Sequence, residues 1–137
     1  MSTQNELAIL ERAAEAKGRL LRAEADRPGA AVGSVLLTFD VGRILIRSGD
    51  AGLIVAHLEN PEAAPAGLSV LDEEEPWWRL IGNPLTAAWP GGVEDGIGAQ
   101  GLASLMVLKL RFREEAENPR VIELESTGSQ VRITLQA

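Results

Sequence analysis

The sequence predicts an α+β fold: an N-terminal helix packed on a six-stranded, mainly antiparallel sheet or split barrel made of two β-meanders. Three observations carry this reading. Residues 1–29 are rich in Ala, Leu, Glu and Arg, all strong helix formers. The pattern then changes to period two and passes through three short strands within residues 33–58. A second set of three strands, with matching spacing, fills residues 102–137. At 137 residues, 45% hydrophobic and 24% charged, the chain reads as one domain, with residues 59–101 connecting the two meanders.

The helix opens with Thr3-Gln-Asn-Glu6, a capping box in which the Thr hydroxyl and the Glu carboxylate satisfy first-turn amides. It is expected to run to Arg27, where Pro28-Gly29 ends it. Leu7, Leu10, Ala14 and Leu21 form one stripe, and Ile9, Ala13, Ala16 and Leu20 a neighbouring one. A helix lying across a sheet is the plainer reading of this alanine-rich face. A coiled-coil or dimer helix is the alternative, weakened by Lys17 at a seam position.

In the first meander Val35, Leu37 and Phe39 alternate with Leu36, Thr38 and Asp40; Arg43 to Arg47 and Leu53 to Leu58 follow, separated by Gly-containing turns. The second has strands at Leu105 to Arg113, Arg120 to Glu125 and Gln130 to Gln136. Ile44, Ile46, Ser48, Leu53 and Val55 each fall 78 positions before Ile122, Leu124, Ser126, Val131 and Ile133. Phe39 falls 73 before Phe112, so the second copy carries five extra residues, in Glu114–Pro119. The second copy has one polar face, where Lys109, Arg111 and Arg113 can pair with Glu123 and Glu125. The first copy is apolar on both faces through Leu36, Leu45, Ile54 and Ala56, so it needs two covers, and the helix is the expected second one.

Within the connection, Pro76 behind Glu73-Glu-Glu suits a short helix from Trp77 to Ile81, stopped by Gly82-Asn83-Pro84. Leu85 to Trp89 reads as another short element that could enter the sheet, and Gly91 to Gly101 as a loop. The connection is also where the charge lies. The net charge is −7, and residues 59–95 hold eight acids against the single base Arg79, while residues 1–29 balance five acids with five bases. An acidic chain of this kind is not expected to bind nucleic acid, which needs clustered Lys and Arg. Without an apolar run of about 20 residues or a signal-peptide pattern, no membrane association is expected either, and a cytoplasmic location is. There is no cysteine, so disulfides, thiolate metal sites and cysteine nucleophiles are excluded.

Gly96-Ile-Gly98-Ala-Gln-Gly101 matches a dinucleotide fingerprint literally, but Pro90-Gly-Gly precedes it and Glu94 and Asp95 would repel phosphate. His57, the only histidine, has no second imidazole and no triad spacing, so it reads as structural or simply exposed. Four consecutive acids splay in different directions, unlike a calcium loop, and a solvated run lacks the dry pocket that raises a catalytic carboxyl pKa. No catalytic residue, metal site or cofactor is therefore expected.

The tryptophans remain. Trp77, Trp78 and Trp89 are three of only five aromatics, and the first two sit directly behind the acids. On a helix, neighbours point about 100° apart, so one indole inside and one outside is the favoured arrangement. Core plugs and interface anchors are both open readings. Trp78-Arg-Leu-Ile-Gly82-Asn-Pro84-Leu resembles a segment of several small bacterial families of unknown function, in which two β-meanders are joined through Trp-x-Leu-Ile-Gly-x-Pro-Leu. The resemblance covers roughly residues 33–136. It implies the duplicated meander and, for some members, a place near toxin or defence genes, but no catalytic residues.

The expected function is a non-enzymatic protein-binding module, of the immunity or inhibitor kind, that blocks a basic partner through Asp72, Glu73, Glu74, Glu75, Trp77, Trp78, Arg79, Glu94 and Asp95. Acids would steer encounter and an indole would anchor the complex. One alternative is a small-molecule or carbohydrate binder, or a weak enzyme, using Trp89 and the Gly91–Gly101 segment as a lid over the open end of the sheet. Another is a structural subunit that self-associates, with a homodimer as its simplest form.

Overall fold

The structure is a computed structural model that describes residues 3–27, 31–49, 52–58, 67–74, 77–90, 107–113, 119–127 and 130–136. Its fold is α+β: one N-terminal helix and two five-stranded antiparallel sheets that do not close into a barrel. This corrects the expected six-stranded sheet, because each meander recruits a fourth strand and a short fifth at its edge.

Helix α1 spans Thr3–Glu15, half the expected length. It ends in a Schellman motif: Gly18 N–H bonds Ala13 C=O at 2.9 Å and Lys17 N–H bonds Ala14 C=O at 3.0 Å, with Lys17 left-handed at φ 52°. The segment beyond, although made of helix formers, is strand β1 (Leu20–Ala25). Leu20, Ala23 and Ala25 face inward while Arg22 and Glu24 face out, and pairing with β3 (Ser34–Phe39) overrides helix propensity. Strands β4 (Gly42–Gly49) and β5 (Gly52–Leu58) complete the first meander. The first sheet has the order β5-β4-β3-β1-β6, where β6 is Ser69–Val70. The second is β2-β10-β9-β8-β7, built from β2 (Ala31–Val32), β7 (Leu85–Pro90), β8 (Val107–Phe112), β9 (Arg120–Ser126) and β10 (Val131–Gln136).

The duplication is visible as an internal two-fold relation that reaches further than the sequence pattern. Strands β1 and β7 are both six residues long; β1 pairs Leu20 with Phe39 and β7 pairs Leu85 with Phe112, each with a register shift just after its first leucine. Equivalent residues meet each other where the halves join. Ser48 and Ser126 Oγ atoms are 2.7 Å apart, and the rings of Phe39 and Phe112 stack with centroids 6.4 Å apart. Arg19 bridges Pro84, Leu20 N–H bonds Asn83 C=O (3.1 Å), and Leu85 N–H bonds Gly18 C=O (2.8 Å). Asp40 N–H to Arg19 C=O and Arg113 N–H to Pro84 C=O form another matched pair. The repeat therefore begins at the helical turn before β1 or β7, not at the first strand of the meander.

One core lies between the sheets. Leu10, Ala13 and Ala14 of α1 enter it with Leu37, Ile44, Ile46, Leu108, Leu110, Ile122, Leu124 and Trp77. The helix rests against β7 of one sheet and β4 and β5 of the other. It is therefore not the expected cover on the outer face of the first meander. On that face Leu36 and Leu45 are buried, at 2% and 9% exposure, yet stand apart from the main core. The outer face of the second sheet is charged as expected, with Lys109 paired to Glu123 at 4.0 Å and Glu125 paired to Arg132. Among the described residues no helix is long and apolar enough to cross a membrane.

Candidate functional site

The acidic and tryptophan-bearing segment is folded onto β1. Pairing of β6 with β1 continues past the strand: Leu71 N–H donates to Ala23 C=O (2.8 Å), and the Asp72 carboxylate accepts from Ala23 N–H (2.9 Å). Both backbone groups of Ala23 are thereby satisfied, with Arg22 Nε 3.7 Å from the other Asp72 oxygen. Asp72 thus holds the segment in place. Glu73 and Glu74 point to solvent from the turn that follows, in which Glu74 N–H bonds Leu71 C=O.

Trp78 N–H bonds Glu74 C=O (3.0 Å) and a 3₁₀ turn, Trp77–Arg79, follows. The expected helix contracts to this turn because Gly82, at φ 89°, swings the chain into β7. The turn is fastened on several sides. Leu80 and Ile81 N–H groups bond Trp77 C=O, and Gly82 N–H bonds Leu20 C=O. Arg19 donates to Gly82 C=O, while Asn83 Nδ2 and Arg120 donate to Arg79 C=O.

The two adjacent indoles part company. Trp77 is wholly buried in the core, and its Nε1 has no hydrogen-bond partner. Trp78 is 50% exposed, with the Arg79 guanidinium carbon 4.4 Å from its ring centroid. Of the expected set, then, the structure brings together Glu73, Glu74, Trp78 and Arg79 at the surface, while Asp72 is a tie and Trp77 a core plug. Glu75, Glu94 and Asp95 lie outside the described residues, as does the Gly91–Gly101 segment. Trp89 stands elsewhere, in the outward row of the second sheet beside Lys109 and, beyond it, Glu123.

A second concavity was not marked in the sequence. Ile9, Arg12 and Ala13 of α1, Val41 of the β3–β4 turn, Gly42 and Ile44 of β4 and His57 of β5 line a cleft of about 260 Å³. The signal that could have found it is the alignment of copies extended to the helix, which sets Arg12 against Trp77. Among the described residues no cluster of three or more acids or histidines is arranged to hold a metal ion. Comparison with protein-family models, with curated proteins and with solved structures finds no match.

Proposed function

We propose that the chain is a non-enzymatic protein-binding module that occupies a basic partner through Trp78, Arg79, Glu73 and Glu74, in the manner of an immunity or inhibitor protein. The observation that carries the reading is the half-exposed Trp78 on a turn fastened to β1, β7 and β9, with two solvent-facing acids one turn before it. A large rigid side chain presented without conformational freedom loses little entropy on binding. Trp and Arg are also the residues most enriched among interface hot spots. The carboxylates would raise the encounter rate with a cationic surface. The likeness of Trp78–Leu85 to families of which some members are expected beside toxin or defence genes favours an immunity role over other binding roles.

The test is affinity capture from the native host with wild type, Trp78→Ala and the double change Glu73→Gln/Glu74→Gln, leaving Asp72 in place. A basic protein held by wild type and released by both variants supports the reading. Its association rate should fall steeply with salt while dissociation changes little. Identical captures by all three proteins would remove it.

A further inference from the structure

We propose that the cleft between α1 and the first meander is a binding site for a small organic carboxylate with an apolar body. It rests on other residues than the partner face and stands or falls separately. The internal two-fold shows why the cleft exists. Arg12, Gly42 and His57 occupy the places that Trp77, Arg120 and Leu135 hold in the second copy. Ala16 N–H to Arg12 C=O matches Ile81 N–H to Trp77 C=O, and Ile44 pairs across to His57 as Ile122 does to Leu135. In the second copy the corner is filled: Trp77 is buried completely, and Arg120 reaches the Arg79 carbonyl. In the first copy the same corner is left open. Its volume is about 260 Å³.

The lining suits one class of ligand. Ile9, Ala13, Val41 and Ile44 provide apolar walls, and Arg12 and His57 supply the polar groups. Among the described residues that line it there is no acid; Asp40, next to Val41, is engaged by the Arg19 amide at 3.0 Å. Among the described residues the Arg12 guanidinium and the His57 imidazole make no hydrogen bond or ion pair. A guanidinium presents a planar fork of donors that matches a carboxylate. The imidazole lies against the turn: a Cβ on Gly42 (φ 146°) would come within 2.7 Å of His57 Nε2. Only glycine leaves His57 its place at the mouth. The apolar walls favour a ligand with a hydrocarbon body over a compact hydrated anion.

As the only histidine, His57 gives one set of imidazole resonances in a proton NMR spectrum. Wild type is titrated with hexanoate and benzoate, with hexanol and benzyl alcohol as neutral counterparts, and with inorganic phosphate. The carboxylates should shift His57 and the Ile9 and Ile44 methyls saturably, and the alcohols and phosphate should bind at least about tenfold more weakly. Arg12→Gln, on the exposed side of the helix, should lose at least about tenfold in affinity. Val41→Asp, an exposed wall position, places a like charge at the cleft and should abolish the shift. Absence of a saturable shift, equal response to alcohol or phosphate, or unaltered binding in either variant overturns the proposal.

Discussion

In the first half of the molecule the corner between helix and meander holds Arg12, Gly42 and His57; in the second, Trp77, Arg120 and Leu135 stand in those places. The outer faces diverge in the same way. Leu36 and Leu45 pair across β3 and β4 where Lys109 and Glu123 pair across β8 and β9. The inner faces do not diverge: Ile44, Ile46, Ser48, Leu53 and Val55 match Ile122, Leu124, Ser126, Val131 and Ile133 in type or nearly so. The difference follows from packing. Inner residues of each copy meet the other copy across the axis, so a change on one side needs a matching change on the other. Corners and outer faces meet no symmetry mate, and one became a plug and the other a cleft.

The comparison is broken or sharpened most strongly at the corner. Trp77→Ala should cost about 3–5 kcal/mol in denaturant unfolding, whereas Arg12→Ala, at the equivalent exposed place, should stay within about 0.5 kcal/mol. Similar losses at both would dissolve the distinction between plug and cleft. Trp77→Phe should cost much less than Trp77→Ala, because it keeps most of the buried ring volume while removing an indole N–H whose unpaired burial costs about 1–3 kcal/mol.

On the outer faces, Leu45→Ala should lower stability by about 2 kcal/mol or more. Glu123→Ala, which loses the partly exposed contact to Lys109, should cost at most about 1 kcal/mol. Equal effects would mean that the charged face is as tightly packed as the apolar one.

The caps differ too. Lys17 and Gly82 hold the same left-handed position before β1 and β7. Lys17→Gly should raise the melting free energy by about 0.5–1 kcal/mol and Gly82→Ala should lower it by about 1 kcal/mol, both read by thermal unfolding. The smallest effect is the coupling across the axis. Ser48→Ala and Ser126→Ala should each cost about 1 kcal/mol, and the double change less than their sum by about 0.5 kcal/mol, since one shared hydrogen bond is lost once.

The candidate partner face was legible in part. The coincidence of acids and tryptophans drew attention to residues 72–79, and neighbouring indoles on a turn had to face different ways. Which acid was structural was not legible, because Asp72 earns its role from an amide of Ala23 far away in sequence. The cleft was invisible, since Arg12, Gly42 and His57 lie in three separate segments and none belongs to a motif.

By itself the sequence determined the two meanders and the five-residue difference between copies, because period-two burial is a local rule written every second residue. It also placed the pairs Ser48 with Ser126 and Phe39 with Phe112 as equivalents, without saying that they touch. Only the tertiary structure decided that Leu20–Ala25 is a strand, that the sheets are two and that the helix joins their common core. A segment of good helix formers has a weak intrinsic preference, a few tenths of a kcal/mol per residue. Strand pairing and the burial of Leu20, Ala23 and Ala25 outweigh it, and neither exists until β3 is alongside.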